Sequence, residues 1–477
     1  MIHRSTADRL TLLALMALVL AMPMAGAPPL ADRLLMAMTG QPPGQWLYLP
    51  RPGDNQRSFL TLGVFGLAML HALGRLVSTG ADGLRRTTGS WVVPTALALF
   101  GAMLISAWTA EFPEIAFRAL LSVAACAAAM VVAADLRPGR LPLEKLLLAA
   151  VVSGAVPAVI ALMQSRGHDP LPYLAISGDN LTDDMAAKQR IGSTFGHPNH
   201  FGSYVAPLTV WAWYFALAPG RWRRLAGVAA GLPMAAAIVA SGARGAILGM
   251  VAGAAVFLLL AVSARGPLAR RRLLAWGLAG AVIAIVAGAF FVAGVMPVPR
   301  GLSSRLTATF EVVQRVYYWV VGWTMFAGHP LTGVGPGGFD RLFWDVSAAM
   351  RGALPDAAKF EFLLRDNARL ARPVFMHNDH FQTLVEGGLL AGAAWCALWA
   401  SMAREAWADA GSGAAGPKTA GRRDGLRPSS AVAGFMAAFA ADGCFNFPMQ
   451  LPASSLLFWL LLGLWPACLR AGGLRRE

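Results

Sequence analysis

The chain is built from continuous apolar runs that recur from end to end. Each is close to the roughly 20 residues a helix needs to cross a ~30 Å hydrocarbon layer. Twelve are read as membrane-spanning helices, at about 10–27, 58–77, 91–109, 115–134, 143–163, 201–219, 225–241, 245–263, 273–296, 381–402, 430–447 and 453–469. The runs do not alternate polar and apolar positions, which excludes an outer-membrane barrel. The expected fold is therefore an all-α polytopic membrane protein. Leu10 to Ala27 follows Arg4 and Arg9 and ends in Ala25-Gly26-Ala27, small residues that would suit a cleaved leader. The many spans that follow favour a first membrane helix instead.

Two segments break the run of short connections: Gln164 to His200, before the sixth span, and Pro297 to His380, between the ninth and tenth. Long ordered loops are uncommon unless they are functional. The larger one divides the chain into spans one to nine (1–296), a loop (297–380), and spans ten to twelve with the tail (381–477). Within the loop, Glu311 to Ala327 has helical length and an apolar face, so it is expected to fold against the membrane surface. Residues 409–430 include Gly-Ser-Gly-Ala-Ala-Gly-Pro-Lys and read as a flexible cytoplasmic tether.

Composition agrees with the pattern: 56% of residues are hydrophobic and 14% charged, against about a quarter charged in soluble domains. Soluble enzymes and fibrous proteins are excluded. With the N-terminus inside and the loops assigned alternately, the whole net charge of +15 falls on the cytoplasmic face, as the positive-inside rule requires. Both termini are then cytoplasmic. Arg221-Trp222-Arg223-Arg224 and Arg270-Arg271-Arg272 become topology signals beside anionic lipid, and nucleic-acid binding is a poor account of them. Cys126, Cys396, Cys444 and Cys468 all lie in apolar runs, which argues against disulfide or thiolate metal chemistry.

On the external face, Arg190, Arg244, Arg315 and His377 stand out. Arg190 opens Arg-Ile-Gly-Ser-Thr-Phe-Gly-His-Pro-Asn199. Arg244 sits in Ser-Gly-Ala-Arg-Gly, a turn so short that its guanidinium must lie at the membrane boundary. Arg315 is one turn into the loop helix, and His377 begins His-Asn-Asp-His-Phe-Gln. Arginine forks bind phosphate oxygens through paired hydrogen bonds while staying charged, and a histidine beside them can take a proton near neutral pH. Singly, arginines at helix ends are usually snorkelling anchors, and a lone loop histidine is usually structural or solvated. Six histidines are external, His168, His197, His200, His329, His377 and His380; His377, Asp379 and His380 form a candidate zinc set, but the spacing lacks His-Glu-x-x-His. Gly333-Val-Gly-Pro-Gly-Gly338 satisfies G-x-G-x-x-G formally, yet with no strand before it and Pro336 inside it reads as a tight turn after the loop helix. Glu386 and Asp442, in or beside apolar spans, are either functional groups or caps and bundle hydrogen bonds.

In their order these motifs resemble the O-antigen ligase and polymerase superfamily over roughly residues 185 to 465. The resemblance rests on Arg190 to Asn199, Ser241-Gly-Ala-Arg244, Arg315 with Trp319, Gly328-His-Pro-Leu-Thr-Gly-Val-Gly335 and Asp442 to Pro452. Its most specific element is His377-Asn378 followed by Glu386 and Gly388. His380-Phe381 departs from the family, where an aromatic followed by leucine is common. The resemblance implies a GT-C-like fold whose periplasmic loop covers a cavity open to the bilayer of the bacterial inner membrane. It implies glycan transfer from undecaprenyl diphosphate to lipid A–core, inverting, metal-independent and without a cofactor. Arg190, Arg244 and Arg315 would hold the diphosphate, His377 would act at the acceptor hydroxyl, and Asn199, Asn378 and Glu386 would support them. A polymerase, with a second lipid-linked glycan as acceptor, is the alternative. A transporter is the next reading, disfavoured because its ionisable groups should lie mid-span.

Overall fold

The structure is a computed structural model in which residues 2–25, 60–72, 90–136, 140–168, 170, 191–263, 309–353, 374–412 and 427–472 are described. Every regular element among them is helical. In chain order they are α1 (Ile2–Ala21), α2 (Leu60–Ala72), α3 (Val92–Thr109), α4 (Pro113–Leu136), α5 (Arg140–Gln164), α6 (Pro198–Leu217), α7 (Arg221–Ser241), α8 (Arg244–Ser263), α9 (Thr309–Gly328), α10 (Gly338–Ala353), α11 (Asp379–Ser412), α12 (Pro428–Gly443) and α13 (Pro452–Gly472). Seven of them are long and apolar enough to cross a membrane among the described residues, so the chain is a multi-pass membrane protein. The expected span at 273–296 lies outside the described residues.

Lipid is as apolar as leucine, so helices in a bilayer associate through close packing of small side chains and not through the hydrophobic effect. The seam between α8 and α12 shows this. Gly245, Gly249 and Gly253 recur every four residues along one face of α8. A side chain added at Gly249 would lie 2.7 Å from the Ala438 carbonyl oxygen, and one at Gly253 2.6 Å from that of Gly434. The two backbones therefore touch, and the start of α8 is held against Asp442 and Asn446 at the end of α12. Around this seam α6 and α13 are buried along most of their length, with Trp211, Phe458, Trp459 and Trp465 in the core.

The opposite ends of the helices are tied by polar groups. Glu405 accepts hydrogen bonds from Ser90 Oγ (2.8 Å), the Trp91 N–H (2.8 Å) and Trp465 Nε1 (2.9 Å). Its position explains why α11 runs to Ser412, well past the span expected to end near residue 402. Asp409 is buried and paired with Arg427, whose guanidinium lies 2.7 Å from the carboxylate and 2.6 Å from the Asp409 carbonyl; Ser429 joins the same group. The expected tether at 409–430 is thus ordered at both ends, because a buried carboxylate there needs partners. Its centre, 413–426, lies outside the described residues.

The helix expected at Glu311 to Ala327 is α9. A second loop helix, α10, was not expected from the sequence, since its short amphipathic run is broken by charges. Tyr317, Tyr318, Val321, Phe339, Phe343, Met376 and Val385 form a small core that joins α9 and α10 to α11. Arg341 adds a cation–π contact, its guanidinium 4.3 Å from the centre of the Phe112 ring between α3 and α4.

Inside α11 the backbone breaks at Gly388, where φ is 65° and ψ is −166°. The carbonyls freed by the break accept N–H groups from the glycine turn: Val334 donates to Val385 (3.1 Å), and Gly335 to Glu386 (2.9 Å). Leu389 and Leu390 in turn donate to Pro330 and Leu331 (2.8 and 3.3 Å). Ser106 Oγ supplies a further donor to the Glu386 carbonyl at 2.5 Å. The Gly333–Gly338 run is the tight turn expected after the loop helix, with φ of 72°, 91° and 74° at Gly333, Gly335 and Gly337.

Gly388→Ala should destabilise the protein by about 2–5 kcal/mol, because the side chain would need positive φ and would strike the Leu331 carbonyl. Gly101→Ala, where no heavy atom lies within 4 Å of the added carbon, should be neutral or raise stability by about 0.5–1 kcal/mol. Thermal unfolding in detergent of the two variants would check the contrast.

Candidate active site

The site is assembled where the loop, α6, α9, α11 and α12 meet. His377 ends the loop and has φ of 56°, one of two non-glycine residues with positive φ among those described. Histidine tolerates this region better than most side chains, and such strain gathers at functional sites. Asn378 follows as the cap of α11, its Oδ1 accepting the Phe381 N–H at 2.9 Å. The carbonyl of Met376 receives Trp319 Nε1 at 3.0 Å and its N–H donates to Gln382 Oε1 at 3.1 Å. Gln382 Nε2 donates to Glu386 Oε1 at 3.1 Å. The Glu386 carboxyl also receives the backbone N–H groups of Gly337 and Phe339, at the start of α10. Glu386 is therefore the cap of the second loop helix, the structural one of its two sequence readings.

The His377 imidazole stacks on Tyr318, ring centres 6.3 Å apart, and meets Phe447 edge-on at 4.8 Å. Its Nδ1 is buried with no hydrogen-bond partner among the described residues. Burial, then the positive charge of Arg315, then His197, hold the ring far below the usual histidine value, at about 3. It is neutral at physiological pH. Arg315 and Trp319 lie four residues apart on one face of α9, so the stripe that clamps Met376 also carries the charge beside His377. The same guanidinium acts on Asp442, which is fully buried and receives Asn446 Nδ2 at 2.6 Å.

The Arg190–Asn199 motif is described from Ile191 onward. Its Ser193-Thr-Phe195 segment forms one tight helical turn pinned to α5: Ser193 Oγ donates to the Pro157 carbonyl at 2.6 Å and its N–H to Gln164 Oε1 at 2.8 Å. His197 then starts α6, its Nδ1 accepting the Asn199 N–H at 3.2 Å, which leaves the ring proton on Nε2. Its ring centre is 4.9 Å from that of His200, and His200 is 5.4 Å from Phe447. His200 and His377 thus both meet Phe447, and His197 packs behind His200.

Of the residues singled out by sequence, the structure brings Arg315 and His377 together with Asn378 immediately beside them. Arg244 begins α8 against the Asp442–Asn446 end of α12, and Asn199 begins α6 beside His197. Arg190 lies outside the described residues. The candidate zinc set does not converge: His380 Nε2 donates to the Ala440 carbonyl (2.9 Å) and its Nδ1 accepts Trp395 Nε1 (2.9 Å), while Asp379 accepts the Met449 N–H at 2.7 Å. Sequence reasoning missed the roles of Gln382, Tyr318 and Phe447. Gln382 had a signal, an amide in the first turn of a membrane helix; Tyr318 and Phe447 had none beyond aromatic character.

Asn378→Ala should lower stability by about 1 kcal/mol and Asn378→Asp should be nearly neutral, as for other helix caps. Thermal unfolding of both would check this.

No curated protein matches the chain. Residues 206–396, from α6 through α8, the loop helices and the His377 turn into α11, match the family model described as O-antigen ligase. The matched segment, which is similar to that family, carries Arg244, Arg315, His377, Asn378 and Glu386.

Proposed function

We propose that this protein transfers a glycan from undecaprenyl diphosphate to a hydroxyl of lipid A–core on the periplasmic face of the bacterial inner membrane. The similarity of residues 206–396 to the O-antigen ligase family supports activity of the ligase or polymerase type; donor, acceptor and orientation are our reading. The observation that carries it is the juxtaposition of Arg315 with a neutral His377 whose Nδ1 has no partner among the described residues. A neutral imidazole can accept a proton, and a guanidinium beside it can hold a diphosphate oxygen.

In this reading the fold is GT-C-like with twelve spans, both termini cytoplasmic, and residues 297–380 forming the periplasmic loop. Arg190, Arg244 and Arg315 hold the diphosphate and stabilise its charge as the sugar C1–O bond breaks. The acceptor oxygen bonds to C1 from the opposite side, inverting it, while His377 takes the hydroxyl proton. Undecaprenyl diphosphate departs. Burial first and the Arg315 charge second keep His377 weakly basic; diphosphate binding offsets the second, so the base strengthens when the donor is in place.

The test uses purified protein in detergent with EDTA, an undecaprenyl-diphosphate oligosaccharide, and lipid A–core present or absent. Glycan on lipid A–core supports the ligase; longer lipid-linked chains formed without that acceptor would make it a polymerase. Arg315→Ala and His377→Ala should each lower transfer by about 100-fold or more; near-normal transfer by either would remove its assigned role.

The pH profile adds a second check. Only the neutral imidazole can accept the proton, so kcat/KM falls when His377 becomes protonated. With its value lowered from 6.5 to about 3, kcat/KM should show no histidine inflection between pH 5 and 7, where an ordinary histidine would lose activity. Arg315→Ala removes one cause of the lowering, so the acid limb of its residual activity should move upward.

A further inference from the structure

We infer that Gln382 is a positioning residue for the transfer step, holding the His377 turn through a hydrogen-bond chain that ends on the second loop helix. The inference rests on the reading of His377 as the base. Gln382 is 1% exposed, and its amide orientation is fixed by chemistry at both ends. The Met376 N–H can only donate, so Oε1 must face it (3.1 Å). Nε2 then faces Glu386 (3.1 Å), whose other bonds come from the N–H groups of Gly337 and Phe339. Met376 is therefore clamped on both sides, its N–H by Gln382 and its carbonyl by Trp319 (3.0 Å). The second of those peptide planes carries the nitrogen of His377, whose positive φ aims the ring between Tyr318 and Phe447. The Asn378 cap fixes the start of α11 but does not touch Met376, so it cannot replace this clamp.

The polarity of the chain makes a sharp test possible. Gln382→Glu brings two carboxyl groups together and loses the donor to Glu386. Glu386→Gln turns an N–H either toward Gln382 Nε2 or toward the Gly337 and Phe339 N–H groups. The double variant Q382E/E386Q satisfies every bond: the carboxylate at position 382 accepts from Met376 and from the amide at position 386, whose oxygen accepts from Gly337 and Phe339.

The experiment measures kcat and donor KM for wild type, H377A, Q382E, E386Q and Q382E/E386Q in the purified transfer assay, with thermal unfolding of each. We expect each single variant in the chain to lose about 10- to 100-fold in kcat with little change in KM, as for a reacting group displaced by about 1 Å, and the double variant to recover most of it. Wild-type kcat in Q382E would overturn the inference while leaving the His377 reading intact. A double variant that regains thermal stability but not kcat would also overturn it, reducing Gln382 to a structural residue. Should Q382E not fold, the double variant alone decides: activity near wild type supports the chain and loss of activity ends it. Normal activity in H377A would instead refute the underlying assignment of the base.

Discussion

A helix broken inside a bilayer must find partners for its freed backbone groups, because lipid offers none. The break in α11 at Gly388 meets that demand with one element, the glycine turn after α9. Its N–H groups satisfy Val385 and Glu386, its carbonyls satisfy Leu389 and Leu390, and Ser106 supplies the extra donor. The loop therefore cannot sit anywhere else on the membrane domain. Three glycines with positive φ let the turn bend into the gap, and Gly388 has no side chain to keep it out.

Docking the loop at this point sets the site. The turn leads directly into α10, whose first N–H groups are capped by Glu386 two residues before the break. Glu386 is bonded to Gln382, Gln382 to Met376, and Met376 to Trp319 on α9. Arg315, one turn earlier on α9, thereby arrives beside His377. Burial of the ring, and after it the field of this cation, keep the imidazole neutral. The seam of α8 on α12 fixes the other wall, bringing the start of α8 to Asp442, a residue on which Arg315 also acts.

The spans were legible because hydrocarbon thickness fixes their length, and the residue types that stop them, Pro and Gly with charge, are local. The boundaries of α3 to α8 agree with the hydropathy runs to within a few residues. The helix α9 was legible from its apolar face. The helix α10 was not, because its stability comes from Glu386 on another element and from the aromatic core with α9. Likewise the expected span stops near residue 402, just before the charges of Arg404 and Glu405, since the partners of Glu405 are remote in sequence. His377 and Arg315 could be singled out from residue type and placement, and Asn378 from the motif that carries the resemblance. The motif His377-Asn378 with Glu386 and Gly388 set His377 apart from His380 in the sequence, and the structure adds that both nitrogens of His380 are occupied by the helix bundle.

By itself the sequence determined that this chain is an all-helical membrane protein, where its runs of apolar residues begin and end, and which arginines and histidines are candidates for anion and proton chemistry. These properties depend on hydropathy and on functional groups, which each residue carries with it. The tertiary structure decided which candidates meet. The neutral state of His377, the capping role of Glu386 and the clamp on Met376 all arise from contacts between residues on separate elements, many of them tens of positions apart. Such contacts exist only once the glycine turn has closed the break in α11.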